Sequence, residues 1–140
     1  MNRAVCDTNI LISGLLWKGA PRQVLIRVEN GKTSLFTSRA LLEELGRVLD
    51  YPKLRVILRK AGLSRQDILR WVVRYATIVM CKPLDKIVIS ADPSDDHVLA
   101  CAFSASADAI ISGDKHILHL RSFRGIPVIT AALFLKKVNG

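Results

Sequence analysis

The chain has no apolar run approaching the roughly 18–20 residues of a membrane span. Residues 1–7 carry too short an apolar stretch before an acid to read as a secretory signal. It has only three cysteines, Cys6, Cys81 and Cys101, an odd number without CxxC spacing. That excludes a disulfide frame and argues against a zinc site. Each lies in an apolar run, as expected for reduced core residues of a cytoplasmic protein. There is no Gly-Lys-Ser/Thr phosphate loop and no GxGxxG, so the usual nucleotide cradles are missing. Repeats, low-complexity tracts and linkers are also absent. Acids are scarce, 12 against 21 Lys and Arg, which leaves a net charge of +9. Such an excess favours an anionic partner: nucleic acid, a membrane surface or an acidic protein. The plainer reading is solubility.

What is present is a core. Half of the 140 residues are hydrophobic, enough for one domain spanning 1–140. Short apolar strands alternate with amphipathic helices. Strands are expected at 3–7, 34–37, 78–81, 109–112 and 128–130. Helices are expected at 9–16, 21–29, 38–50, 52–62, 64–75, 92–106 and 131–138. Pro21, Pro52 and Pro93 suit first helical turns, and Ser38, Ser64 and Asp92 suit N-caps. This alternation predicts an α/β domain in which a parallel sheet of about five strands is flanked by helices, an α/β/α arrangement. In open sheets of this kind, sites gather at the carboxyl ends of the strands.

Two strands end in acids. Asp7 follows Arg3-Ala4-Val5-Cys6, and Asp114 follows Ala109-Ile110-Ile111-Ser112-Gly113. A parallel sheet puts both on one rim, although a lone Asp there is often a turn former. On the helix after Ser38, stepping about 100° per residue gathers Leu41, Leu42, Leu45, Val48 and Leu49 in one arc. Glu43 falls opposite that arc and Glu44 at its edge. On the helix after Pro93, Asp95 points along the apolar face, flanked by Val98, Leu99, Ala102, Phe103 and Ala105. Asp96 lies near that face's margin. Macrodipole compensation accounts for Asp92 and Asp96 but poorly for Asp95, since a solvent-facing acid would serve the dipole without desolvation. Clustered carboxylates at Asp7, Glu44, Asp95 and Asp114 repel one another unless a cation sits among them. Oxygen-only donors favour Mg²⁺ or Mn²⁺. Such a cation activates water for attack on phosphorus, which suits a nuclease whose basic residues hold the nucleic-acid backbone.

These residues carry a resemblance. The chain resembles the PIN-domain family and, within it, the VapC-like toxin ribonucleases of prokaryotic toxin–antitoxin pairs. The matching stretches are Val5-Cys6-Asp7-Thr8-Asn9, Leu41-Leu42-Glu43-Glu44-Leu45, the run from Asp95 to Ala102, and Ile111-Ser112-Gly113-Asp114. They occur in the family's order and span almost the whole chain. The resemblance implies metal-binding, catalytic acids at Asp7, Glu44, Asp95 and Asp114, with Asn9 and Ser112 as supporting polar groups. It implies metal-dependent endoribonuclease activity that leaves 5′-phosphate and 3′-hydroxyl ends, an RNA substrate, a cognate antitoxin, and a homodimer or higher oligomer. Two departures stand out. Many relatives carry a further acid two or three residues after the last Asp, where this chain has His116 and Ile117. Many also carry Asn after the third acid, where this chain has Asp96, so which of Asp95 and Asp96 dominates is left open.

The basic excess concentrates at 47–74: Arg47, Lys53, Arg55, Arg59, Lys60, Arg65, Arg70 and Arg74 against Asp50 and Asp67. Arg55 and Arg59 here, and Arg121 and Arg124 later, are candidate RNA-binding residues. Trp71 and Tyr75, one turn apart among Leu69, Val72 and Val73, read as packing residues. The alternative to a nuclease is a non-catalytic PIN-like protein that binds RNA or an antitoxin, favoured by His116 and Ile117. A receiver-like phospho-switch fails because Met80-Cys81-Lys82 ends the third strand without an Asp.

Overall fold

The first strand, β1 (Arg3–Cys6), runs into α1 (Thr8–Leu16) through Asp7 alone. The side chain of Asp7 accepts from the Ile10 N–H, and so ends the strand and caps the helix in one residue. Next come α2 (Ala20–Glu29), β2 (Ser34–Thr37), α3 (Arg39–Leu49), α4 (Pro52–Ala61), α5 (Arg65–Tyr75) and β3 (Ala76–Ile78). They are followed by α6 (Pro93–Ser104), β4 (Ala109–Ile111), α7 (Lys115–Leu118), β5 (Ser122–Phe123), β6 (Ile126–Ile129) and α8 (Ala131–Asn139). The structure, a computed structural model, describes residues 2–81 and 93–139, without the side chains of 93–95. The expected cap at Asp92 and the inward direction of the Asp95 side chain lie outside the described residues. No helix among the described residues is long and apolar enough to cross a membrane.

The strands form one sheet in the order β3-β2-β1-β4-β6-β5. All neighbours are parallel except β5 and β6. Side chains alternate across it as strand geometry requires. On β1, Ala4 and Cys6 face a core shared with α1, α2, α3, α5 and α8. Val5 faces the opposite core, built on Val98, Leu99, Cys101 and Ala102 of α6 and on Ala105 just after it. Two helical layers therefore cover the sheet, and the fold is the expected α/β/α.

The chain leaves β1 towards β2 and β3 on one side, then crosses over to β4 and β6 on the other. The strand order reverses between β1 and β4, and the crevice at their carboxyl ends is where open sheets bind ligands. That crevice lies between Asp7 and Asp114.

Three details depart from the sequence expectation: a short helix, α7, stands at Lys115–Leu118 where the sequence predicts none, and two strands differ. The third strand falls at Ala76–Ile78 rather than 78–81. It pairs with Leu35, Phe36 and Thr37 of β2. Since Ser38 turns β2 into the cap of α3, later residues have no strand beside them. A sixth strand, β5, pairs antiparallel with β6 at the sheet edge through a two-residue turn. Arg124 and Gly125 both have positive φ there, 48° and 82°, as tight hairpins need.

Candidate metal centre

Asp7 is 9 % exposed, and both of its carboxylate oxygens are engaged. Oδ1 accepts from the Ile10 N–H at 2.9 Å, and Oδ2 accepts from the Ser112 hydroxyl. The Asp7 N–H donates to the Ile111 carbonyl at 3.1 Å, which locks the end of β1 to the end of β4. Burial pushes the Asp7 carboxyl above the ordinary value of 3.8, and the charge of Asp114 adds to that. Hydrogen bonds from Ser112, Ile10 and Gly113 oppose the shift without cancelling it. Nothing in the fold requires a charged group at this position, because a neutral acceptor would cap α1 equally well.

Ser112 is fully buried and joins the two rim acids. Its hydroxyl donates to Asp7 and accepts from the Asp114 N–H at 3.0 Å. Asp114 is half-buried and caps α7, its Oδ1 accepting from the His116 N–H at 2.8 Å. Its other oxygen is the one left for a ligand in the crevice.

Glu44 is half-buried in the second turn of α3, as its place at the edge of the apolar arc implies. The Thr8 hydroxyl donates to its Oε2 at 3.0 Å. Thr8 is buried and directly follows Asp7, so it ties Glu44 to the same corner. Sequence reasoning missed this role. Its one signal was a hydroxyl residue between Asp7 and Asn9, in a helix start that Asp7 already capped. Glu43, expected to be solvated, pairs with Arg39 on the surface. Asn9 is exposed on the first turn of α1.

The third acid comes from the far side of the sheet. The C-terminal end of α6 lies at the amino edge of the strands, where the Asp108 N–H donates to the Arg3 carbonyl. The helix is 12 residues long, about 18 Å, so its first turn reaches the carboxyl edge. Asp95 is the third residue of α6, and its backbone therefore sits at the same rim as Asp7 and Asp114. Asp96 follows, half-buried.

The donor set suits a hard divalent cation. It consists of carboxylates only, and at Asp7 burial and the charge of Asp114 both disfavour the charged form. Among the described residues no Lys or Arg forms an ion pair with Asp7, Glu44 or Asp114. Within the same limits, no three acidic, His or Cys side chains already form a closed metal-holding group. The structure thus links Asp7 and Asp114 through Ser112, and ties Glu44 to Thr8, the residue that follows Asp7.

The basic candidates are dispersed. Arg55 and Arg59 are exposed on α4 and line a cavity of about 390 Å³ with Asp50, Ser64 and Arg65. Asp50 draws Arg55 at 3.6 Å and Arg65 at 3.3 Å. Arg121 is exposed, and its carbonyl accepts from the Val128 N–H, level with the middle of β6. Arg124 lies at the amino edge of the sheet, with its guanidinium stacked on Phe103 at 4.6 Å and Phe123 at 5.1 Å. That is the end opposite the acids, because the β5–β6 turn precedes Ile126 at the start of its strand. His116 is exposed and Ile117 fully buried. Trp71 and Tyr75 pack on each other at 5.1 Å, and the Trp71 Nε1–H donates to Glu29.

Known proteins match this architecture. The PIN domain family matches residues 3–116. Uncharacterized protein MJ1680 of Methanocaldococcus jannaschii is 30% identical over 121 residues, covering 85% of this chain and 75% of that protein. The crystal structure of PAE2754 from Pyrobaculum aerophilum superposes with a TM-score of 0.63 at 14% identity, covering 99% of this chain and 91% of that one. At that identity the likeness concerns the fold alone. The family match contains all four stretches that carry the acids, and so the chain belongs to the PIN-domain family, a fold family of nuclease type.

Proposed function

We propose that the protein is an Mg²⁺- or Mn²⁺-dependent endoribonuclease, the cytoplasmic toxin of a toxin–antitoxin pair. The observation that carries this reading is the buried carboxylate of Asp7, held beside Asp114 at the sheet's switch point without a basic partner among the described residues. A charge kept there against its own desolvation is accounted for by an external cation.

Asp7, Asp114, Glu44 and Asp95 would hold the divalent ion, with Asp96 flanking and Asn9 at the rim. The ion supplies water activation and neutralises charge on the phosphodiester. The protein supplies fixed geometry. Ile10 N–H and Ser112 lock the Asp7 carboxylate, Thr8 orients Glu44, and Ser112 sets the spacing of Asp7 and Asp114. Arg121, exposed beyond α7, would contact a strand leaving the crevice. Arg55 and Arg59 extend the positive surface away from it. The exposed Val56, next to Arg55 on α4, and Val73, next to Arg74 on α5, would suit a homodimer or an antitoxin contact.

One observation favours the non-catalytic alternative. Ile117 is in the core and His116 faces solvent, so α7 contributes no further acid. Cleavage assays on structured RNA separate the readings. The nuclease cuts with Mg²⁺, stops with EDTA, leaves 5′-phosphates, and fails as Asp7→Asn or Asp95→Asn. RNA binding that survives EDTA, with no cleavage in any metal, would establish the alternative.

A further inference from the structure

A cavity of about 280 Å³ lies between the C-terminal parts of α2 and α8. It stands at the amino edge of the sheet, opposite the acidic crevice. There the Ser34 N–H donates to the Asn2 carbonyl where β2 begins, and Asn30 and Lys32 come just before it. The polar lining is Gln23, Arg27, Asn30, Lys32 and Asn139, two cations and three amides. Among the described residues no acid lines it. Glu29, the one acid of α2, instead accepts from the Trp71 Nε1–H at 2.9 Å. Arg27 is half-buried and held from two sides. Its Nε donates to the hydroxyl of the buried Thr33 at 3.1 Å, and its Nη1 donates to Asn139 Oδ1 at 3.4 Å. Neither Arg27 nor Lys32 forms an ion pair among the described residues. These cations are not needed to close the helix. The Ile26 carbonyl accepts from the Asn30 N–H, the Val28 carbonyl from Gly31, and the Arg27 carbonyl from both Lys32 and Thr33. The chain's own N–H groups thus satisfy the end of α2.

We propose that this cavity binds a small phosphate monoester on a hydroxylated carbon carrier, a ligand of sugar-phosphate size. A monoester carries close to two negative charges at neutral pH, which Arg27 and Lys32 balance. The Arg27 guanidinium, fixed by Thr33 and Asn139, offers its remaining N–H groups to phosphate oxygens, and Lys32 adds a point charge. The three amides supply donors and acceptors for hydroxyl groups. Ile26 and Leu135 give the carbon skeleton an apolar wall. At about 280 Å³ the cavity stands at the lower end of small-molecule sites, roughly 300–1,000 Å³. A phosphodiester brings one charge and a second carbon arm, and so matches neither the charge nor the volume. Two sources present the required chemistry: a free sugar phosphate and the phosphorylated 5′ end of an RNA strand. The site does not rest on the nuclease reading, since none of the crevice acids belongs to it.

The test is calorimetric titration of the purified full chain in EDTA, which reads binding without cleavage. Ribose 5-phosphate should bind about tenfold more tightly than either ribose or inorganic phosphate. Lys32→Gln, a change at an exposed residue, should weaken that binding about tenfold. Arg27→Lys should weaken it at least as much, because the planar donor fork is lost. Lys53→Gln, on α4 and outside the cavity, should leave it unchanged. Displacement of a bound 5′-phosphorylated tetranucleotide by ribose 5-phosphate would support strand ends as the source. Failure of that tetranucleotide to compete would support the free sugar phosphate. No binding of ribose 5-phosphate, by calorimetry or by a shift in melting temperature, would overturn the proposal. So would equal affinity for inorganic phosphate, or binding that Lys32→Gln leaves intact.

Discussion

Asp7 carries two functions that separate by substitution. As a cap it needs only an acceptor, and as a ligand it needs a charge. Burial raises its carboxyl in the folded state, so folding favours the protonated form. Its contribution to stability is present below the unfolded value of 3.8 and is lost as pH rises through the folded value. At neutral pH, Asp7→Asn should therefore melt a few degrees above the wild type when both are in chelator, and should lose cleavage when Mg²⁺ is supplied. The gap should close as pH falls towards 3.8, as read by thermal melts across pH. A variant that is less stable at every pH would mean that the charge serves the fold. Asp108 gives the opposite sign. Desolvation raises it, but the N–H groups of Arg3 and Asn2 outweigh that and hold it low. Its contribution is present above 3.8 and fades as pH falls through the lowered folded value. Ser112→Ala removes the bridge without touching a proposed ligand, and should reduce cleavage by roughly 10–100-fold with little change in RNA affinity. Intact turnover in this variant would remove Ser112 from the site.

At the scale of elements, the helices α1 and α2 come closest where Gly14 sits. A Cβ there would stand 2.6 Å from Leu25 Cδ1 and 2.9 Å from the Pro21 carbonyl oxygen. Because the carbonyl is backbone, Gly14→Ala should cost about 1–3 kcal/mol, measurable by urea unfolding. An unchanged midpoint would show that the helix pair yields. This contact was invisible in the sequence, since it depends on how two helices cross. The helices themselves were legible because their signals are local. Ser38 and Ser64 accept from the Leu41 and Asp67 N–H groups as caps, and Gly62 ends α4 at φ 72°. Strand limits depend on partners. The end of β3 follows from where β2 stops, and the two-residue β5 has too little pattern to read. The rim positions of Asp7 and Asp114 and the half-buried place of Glu44 were legible in the sequence because rim position and helical arc are local properties. Thr8 could not, because its partner is 36 residues away. Arg124 is only ten residues from Asp114 in sequence, but the hairpin carries it to the other end of the sheet.

Across the whole molecule, the opposing charges occupy different places. The few acids of the crevice meet at the carboxyl edge of β1 and β4, while α4 and α5 carry exposed arginines and lysines. RNA held by those helices should bind less tightly as salt rises. For single strands, log affinity falls against log salt by about 0.7 for each phosphate neutralised. Replacing both Arg55 and Arg59 with Ala should therefore flatten the slope by about 1.4. An unchanged slope would place the strand elsewhere. Surface pairs such as Arg55–Asp50 contribute little to stability, so the double variant should fold normally. The central claim is that the acids at the switch point hold a divalent ion for cutting RNA. It is tested most directly by the cleavage rate of an end-labelled structured RNA as Mg²⁺ is titrated, for the wild type and Asp114→Asn. The account predicts a saturable Mg²⁺ dependence abolished by EDTA, and a loss of about 100-fold or more in the variant. A rate independent of metal, or one unchanged by Asp114→Asn, would contradict it.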